Sequence, residues 1–281
     1  MMIYSVKVTA SRTGRGIPYF HGQEERFSMK NIVITGAADG IGYYLVRQLL
    51  LEGYNVTVLD LNIDNLSELC KKYSSLSAKV CDVRDLRQMK ECVSESVKKY
   101  GSIDCAIHNA CLCTFAGMEQ TEEKTYHDVI DVNYFGALHL SQMVLPYMKD
   151  QRSGRVIFTS SGVGVMGFVN ISPYASSKGA IESLAKCLNI EYQDYGISFH
   201  IFHPPLTRTK SAGPLPVPKE FMADPEKVGT GLARHIQNKS FVICHSFGQK
   251  VQTLVCYLFP IKMGKLMSKM TAKYAAENNK K

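Results

Sequence analysis

Beyond residue 29 the chain repeats one rhythm: a short apolar run, a turn, then a stretch with helical periodicity. Residues 30–35 (KNIVIT) begin it, followed by a glycine-rich turn and a helical segment to Glu52. Residues 55–61 (NVTVLDL), 78–83 (AKVCDV), 103–110 (IDCAIHNA), 154–161 (GRVIFTSS) and 197–204 (ISFHIFHP) read as further strands, and 240–244 (SFVIC) as a seventh. Helices are predicted from about Asn62, up to about Tyr100, over about 121–149, and from Tyr174. Strands that are apolar throughout, rather than alternating, are buried on both faces, as in a parallel sheet between helical layers. The pattern therefore predicts an α/β fold: a doubly wound parallel sheet of about seven strands with helices on both faces. No linker interrupts it, so 29–245 is expected to be one domain.

The two ends break the rhythm. Residues 1–28 are polar, contain Gly and Arg, and show no periodicity. They are expected to be either an unfolded but real extension or an over-extended reading frame whose true start is Met29. The second reading rests on Glu24-Glu25-Arg26, whose codons can be purine-rich like a ribosome-binding sequence. Residues 246–281 form a helical tail. Pro260 can open a helix at its first turn. Met263, Leu266, Met267, Met270 and Tyr274 then follow the spacing i, i+3, i+4, i+7, i+11, with Lys262, Lys265, Lys269 and Lys273 on a neighbouring face. Such an amphipathic helix has three seats open to it: its own domain, a partner subunit, or an anionic membrane surface.

Charge follows the same division. The net charge is +8. The tail carries seven Lys and one Glu, and residues 1–28 carry four basic and two acidic groups, which leaves 29–245 neutral. A neutral body argues against a nucleic-acid binder, which needs a basic face on the folded domain. There is no run of about 18 apolar residues to predict a spanning helix, and no charged-then-apolar leader to predict secretion. Nine cysteines, an odd count without paired spacing, read as reduced thiols of a cytoplasmic protein and not as a metal site.

Candidate chemistry begins at Thr35–Gly42 (TGAADGIG), between the first strand and first helix. Gly36 permits a tight turn, while Gly40 and Gly42 let a ligand and the helix approach. A helix N-terminus there, with Asp39 and Ile41 in the same loop, suits a pyrophosphate, as in a Rossmann-type fold. Asp60, about twenty residues on, is read either as a strand-end turn residue or as the acceptor for an adenosine ribose, where it would repel a 2′-phosphate. With Asp39 it favours NAD, with NADP open. Asp82 and Val83 are expected to end the third strand beside an adenine. Asn109 ends the fourth, and Ala110 is small enough to leave room for the cofactor.

Tyr174 and Lys178 are four residues apart, and so share a helix face, with Ser161 thirteen residues upstream. Alone, such a pair arises by chance on many solvated helices. Beside a cation, a phenol's pKa of about 10 is expected to fall, making a proton donor or acceptor at neutral pH.

Together these residues resemble the short-chain dehydrogenase/reductase family from Lys30 to about Cys244. The spacing Gly36-x-x-x-Gly40-x-Gly42 is similar to that of its single-domain members, and Asn109-Ala110 resembles its Asn-Asn-Ala-Gly motif. Asn133 matches the helix asparagine, and Ser161, Tyr174 and Lys178 match the catalytic set. Residues 203–209 (HPPLTRT) resemble the Pro-Gly motif, with Thr207 and Thr209 as cofactor contacts. The resemblance implies hydride exchange between nicotinamide C4 and a carbonyl or secondary alcohol. It implies Tyr174 as general acid or base, Ser161 as the holder of the substrate oxygen, and Lys178 as ribose ligand. It also implies Asn133 as the seat of a water linking Lys178 to solvent, and a homodimer or homotetramer. His108, Cys111 and Pro205 depart from the motifs. His108 is read as a local structural substitute, and Pro205 removes a backbone donor.

Pro214, Pro216 and Pro218, with Leu215, Val217 and Phe221, predict an apolar, semi-rigid flap over the site. It points to an apolar substrate of lipid, steroid or retinoid type. Two other function classes compete: a non-catalytic dinucleotide sensor or scaffold on the same fold, and a membrane-surface binder using the tail.

Overall fold

The computed structural model describes residues 30–213 and 215–278. The expectations for residues 1–28 and for Pro214 lie outside the described residues. Seven strands make one sheet: β1 (Asn31–Thr35), β2 (Asn55–Asp60), β3 (Leu76–Val80), β4 (Cys105–His108), β5 (Gly154–Thr159), β6 (Ile197–Phe202) and β7 (Val242–Ile243). All pair in parallel, in the order β3-β2-β1-β4-β5-β6-β7. The order reverses between β1 and β4, where a crevice opens at the carboxyl ends of the strands.

Alternate residues of each strand feed two cores. Ile32 and Ile34 of β1 pack with Leu45 and Leu49 of α1 (Gly40–Leu51). They are joined there by Val228 and Leu232 of a further helix, Pro225–Arg234, which the hydrophobic pattern did not predict. Val33 points to the other face, against Met89 of the helix Leu86–Tyr100, Leu140 of Gly136–Gln151 and Ile181 of Ser172–Glu191. Each fully buried Leu or Ile contributes about 1.5–3 kcal/mol relative to exposure. Both faces of the sheet are thus covered, as the apolar strands require.

Three local expectations are corrected. The third strand is Leu76–Val80, not 78–83, because its pairing with β2 ends at Asp60 and Val80. Asp82 and Val83 therefore lie in the turn after the strand, where the Asp82 amide is taken by the Gln88 side chain. The helix expected over 121–149 is broken into Glu123–Ile130 and Gly136–Gln151 by a π turn at Asp131–Phe135 that holds Asn133.

The tail forms two helices, Phe247–Leu258 and Pro260–Asn278. The inward face of the second matches the methionine stripe only in part, with Met263, Met267 and Tyr274 half-buried. Gly264 and Thr271 are buried, whereas Leu266 and Met270 are exposed. Gly264 sets this orientation: any side chain there would collide with the Gly167 carbonyl, so the helix backbone rests directly on that turn. Ser268, one turn on, donates to Gly264 O and accepts from the Val169 amide at 3.2 Å.

Candidate active site

The long helix Ser172–Glu191 carries Tyr174 and Lys178 on one face. A short helix, Val163–Met166, packs against it and seats the preceding Ser161 within hydrogen-bonding reach of the Tyr174 hydroxyl. Lys178 is fully buried, and its ammonium donates to the Thr159 carbonyl at 2.7 Å, with two N–H groups left over. The nitrogen lies 5.4 Å from the Tyr174 ring centroid.

The electrostatics correct the expectation of a lowered phenol pKa. Burial raises the Tyr174 pKa well above its ordinary value, Cys111 and Cys113 add to this, and the Ser161 hydrogen bond only opposes it. Burial likewise lowers the Lys178 pKa. Low-polarity surroundings penalise the charged form of both groups, and this outweighs their proximity. The phenol is therefore held protonated, the state of a proton donor.

Asn133 is buried in the π turn with its side chain fully engaged. Its Oδ1 accepts from the Leu112 amide at 2.7 Å, and its Nδ2 donates to Leu112 O at 3.0 Å and Ser177 Oγ at 2.8 Å. It braces the 110–113 loop against the helix Ser172–Glu191, with both amide hydrogens spent and one lone pair of Oδ1 left over. His108 is also buried, with Nδ1 2.9 Å from Thr35 Oγ1. It ties β4 to β1, as a structural substitute would.

A cavity of about 610 Å3 runs along the switch point from Asp60 and Asp82, past Gly36, Asn109 and Ala110, to Ser161, Tyr174 and Lys178. Gly36 (φ +64°) would carry any side chain into Ala110, so glycine lets the turn pack directly on the chain just beyond β4. Asn109 donates to Gly36 O at 2.5 Å and accepts from Thr159 Oγ1 at 3.3 Å, holding the turn against β5. Asp60 Oδ2 accepts from the Ala38 amide at 2.9 Å, and Asn62 N reaches Oδ1 only at 3.4 Å. Asp39 caps the helix by accepting from Gly40 N, and a hydrogen bond from Lys210 at 2.6 Å holds its carboxyl below the ordinary range. Asp82 is likewise lowered, by Arg84. Ile41, Val83, Thr207 and Thr209 all line the cavity, with the Thr207 hydroxyl turned to Pro205 O at 2.7 Å. An open helix N-terminus, a carboxylate at the end of β2 and an elongated cleft fit an adenine dinucleotide.

Several residues escaped the sequence reading. Phe115 and Phe168 line the cavity, joined there by Met267 of the tail stripe, and Met222 completes a buried cluster with the flap residues Leu215 and Val217. Phe221, expected in the flap, is exposed. Gln249, Thr253 and Cys256 of the first tail helix form a wall. That helix is tied down at Glu182, whose buried carboxylate accepts from Ser160 Oγ (2.7 Å), His203 Nε2 (3.1 Å) and Tyr257 OH (2.6 Å). Burial alone would raise its pKa, but these three donors together hold it below the ordinary value. The spacing 174, 178, 182 along one helix face was the available signal. All nine cysteines are free thiols, and no cluster suited to a metal occurs among the described residues.

Comparison with known proteins places this geometry among relatives. A family profile described as short chain dehydrogenase matches residues 30–218. The chain is 34% identical over 195 residues to the 3-oxoacyl-(acyl-carrier-protein) reductase FabG of Thermotoga maritima, covering 68% of this chain and 79% of that protein. It is 32% identical over 202 residues to the 3-ketodihydrosphingosine reductase of Dictyostelium discoideum, covering 64% of this chain but only 60% of that longer protein. Among solved structures, the 3-ketoacyl-(acyl-carrier-protein) reductase of Brucella melitensis, complexed with NADH, shares the fold. Its TM-score is 0.70 at 18% identity, over 77% of this chain and 94% of that one.

Proposed function

The chain belongs to the short-chain dehydrogenase family, and from that premise we propose that it is an NAD-dependent oxidoreductase of apolar ketones and secondary alcohols. The observation that carries this reading is the meeting of Ser161, Tyr174 and Lys178 at the apolar end of the cleft. A bound nicotinamide supplies the hydride chemistry. Ser161 holds the substrate oxygen by a hydrogen bond. Tyr174 delivers its proton to that oxygen as a ketone is reduced, and takes one back when an alcohol is oxidised. Lys178 has two free N–H groups for ribose hydroxyls.

NAD is favoured by Asp60, whose Oδ1, met only by Asn62 N at 3.4 Å, has a lone pair left for a ribose hydroxyl and whose charge repels a 2′-phosphate. Arg84 and Lys210 are not free to offset this, being paired with Asp82 and Asp39. Phe115, Met166, Phe168 and Met267 favour a hydrocarbon chain beside the reacting carbon. The names of the two relatives both describe reduction of a 3-oxo or 3-keto group. We read the protein as a homodimer or homotetramer of a reducing compartment such as the cytoplasm, consistent with its free thiols.

The test is NADH and NADPH fluorescence titration followed by turnover on a panel of alkyl, steroid and retinoid ketones. NADH should bind at least about tenfold more tightly than NADPH, a difference of about 1.4 kcal/mol, and be oxidised with a long-chain ketone. Tight binding with no turnover on any ketone would instead mark a dinucleotide sensor.

A further inference from the structure

The exposed apolar surface of this protein is concentrated in its tail. Among the described residues, eight of the nineteen exposed large hydrophobic side chains fall between Phe247 and Met270. Isolated exposed hydrophobics are ordinary, but a contiguous patch marks a contact surface. On the helix Phe247–Leu258, the exposed residues Phe247, Val251, Leu254 and Leu258 follow i, i+4, i+7, i+11, one continuous stripe about 16 Å long at 1.5 Å per residue. Phe247 is 81% exposed and Leu258 61%. The opposite face of the same helix carries the buried Gln249, Thr253 and Cys256. The helix is thus amphipathic in an inverted sense, with polar residues among those inside and hydrocarbon outside.

Phe259 and Ile261 carry the apolar surface across the bend, and the next helix turns lysines outward: Lys262, Lys265, Lys269 and Lys273. The two kinds of surface touch where the Lys262 ammonium lies 5.5 Å from the centroid of the Phe259 ring. With Lys250, the two tail helices expose five lysines among the described residues, and no acidic residue occurs anywhere from 246 to 276.

We propose that this face is a membrane-docking surface, on which the two tail helices lie flat on an anionic bilayer. Phe247, Val251, Leu254 and Leu258 enter the headgroup–acyl boundary and the lysines meet lipid phosphates. Charge selects this occupant. A symmetric dimer through the same face would set one lysine array near its copy, with no acidic group from 246 to 276 to relieve it. An anionic lipid surface complements the lysines and the hydrocarbon together. No described helix is long and apolar enough to cross a membrane, so the contact is interfacial. It stands independently of the Tyr174 chemistry, because the stripe and the cavity wall are opposite sides of one helix.

Flotation of the full-length protein with vesicles tests this. Wild type is expected to float with phosphatidylcholine vesicles containing phosphatidylglycerol, to remain behind with phosphatidylcholine alone, and to be released by high salt. Leu254→Ser/Leu258→Ser and Lys265→Glu/Lys269→Glu should each lower the bound fraction at least about tenfold. Unchanged NADH binding and melting would show that both variants are folded. Wild type that fails to float with the anionic vesicles, or variants that float as well as wild type, would overturn the proposal. So would an oligomer, seen by light scattering, that the leucine pair dissolves while wild type ignores vesicles, since the face would then belong to a second copy of the chain.

Discussion

Two polar clusters lie side by side in this protein, one buried and one opening on the cavity, built from neighbouring residues. Ser161 and Lys178 serve one, Ser160 and Glu182 the other. The two serines are adjacent beyond the end of β5, and Lys178 and Glu182 are one turn apart on the same helix. In the Glu182 cluster every strong demand is met: one carboxylate, three donors, and burial on all sides. In the Tyr174 cluster demand is left over, since Lys178 spends one of three N–H groups on Thr159 O and the phenol meets only Ser161 while facing the cavity. A satisfied network fixes position, whereas an unsatisfied one at a cavity wall is ready to bind and react. The two clusters therefore predict opposite consequences of mutation.

Tyr174→Phe should show the largest effect and only on turnover. Removing a positioned proton donor lowers the rate about 10²–10⁴-fold, while melting temperature and NADH affinity stay close to wild type. A variant that keeps activity within about tenfold, or that melts many degrees lower, would erase the distinction between the clusters.

Glu182→Ala should do the reverse. It strands three buried donors, and breaking such a network costs about 3–5 kcal/mol, or roughly 6–20 °C in melting temperature for a domain of this size. NADH affinity, measured well below the transition, should change little. Glu182→Gln adds a pH signature. The folded carboxyl has a lowered pKa, so its stabilisation is present above the ordinary value of about 4.3 and is lost as pH falls through the folded value. The stability gap between wild type and Glu182→Gln should stay level from about pH 8 to 5 and close below about pH 4. A gap independent of pH down to pH 3 would mean that the carboxylate is not what the donors hold.

The contrast also explains what could be read from the chain. The glycine turn, the apolar strands and the Tyr174–Lys178 spacing are local patterns, and they led to the sheet and to the cavity that Tyr174 and Lys178 line. Features set by partners distant in sequence were not visible. The third strand ends where β2 stops pairing with it, two residues before Asp82. The π turn at Asp131–Phe135 gives no periodic sign, and neither does the engagement of Asn133 with Leu112. The tail's inward face was only partly legible, because hydrophobic spacing weighs Leu266 and Met270, which are exposed, whereas Gly264, which rests on the Gly167 turn, has no side chain to weigh. The sign of the Tyr174 shift depends on burial, which spacing does not report.

Tyr257→Phe gives the smallest and most local effect, and it decides whether the Glu182 cluster also shapes the site. Tyr257 is the tail's hydrogen bond to that carboxylate, at 2.6 Å, and burial followed by the adjacent carboxylate raises its pKa, so it is a donor throughout the working range. Deleting the hydroxyl leaves Glu182 with Ser160 and His203 and costs about 1–2 kcal/mol, since one of three charge-assisted bonds is lost. The helix Phe247–Leu258 should open more often while the sheet does not, and hydrogen exchange would show faster amides in 251–258 against unchanged β1 and β4. That helix also supplies Thr253 and Cys256 to the cavity wall. Its loosening should raise KM for a long-chain ketone a few-fold while kcat, which depends on Tyr174, stays within about twofold. Equal losses in kcat and KM would show that the tail reaches the proton-transfer geometry itself. No change in either would reduce the Glu182 cluster to a fastening without influence on the cavity it borders.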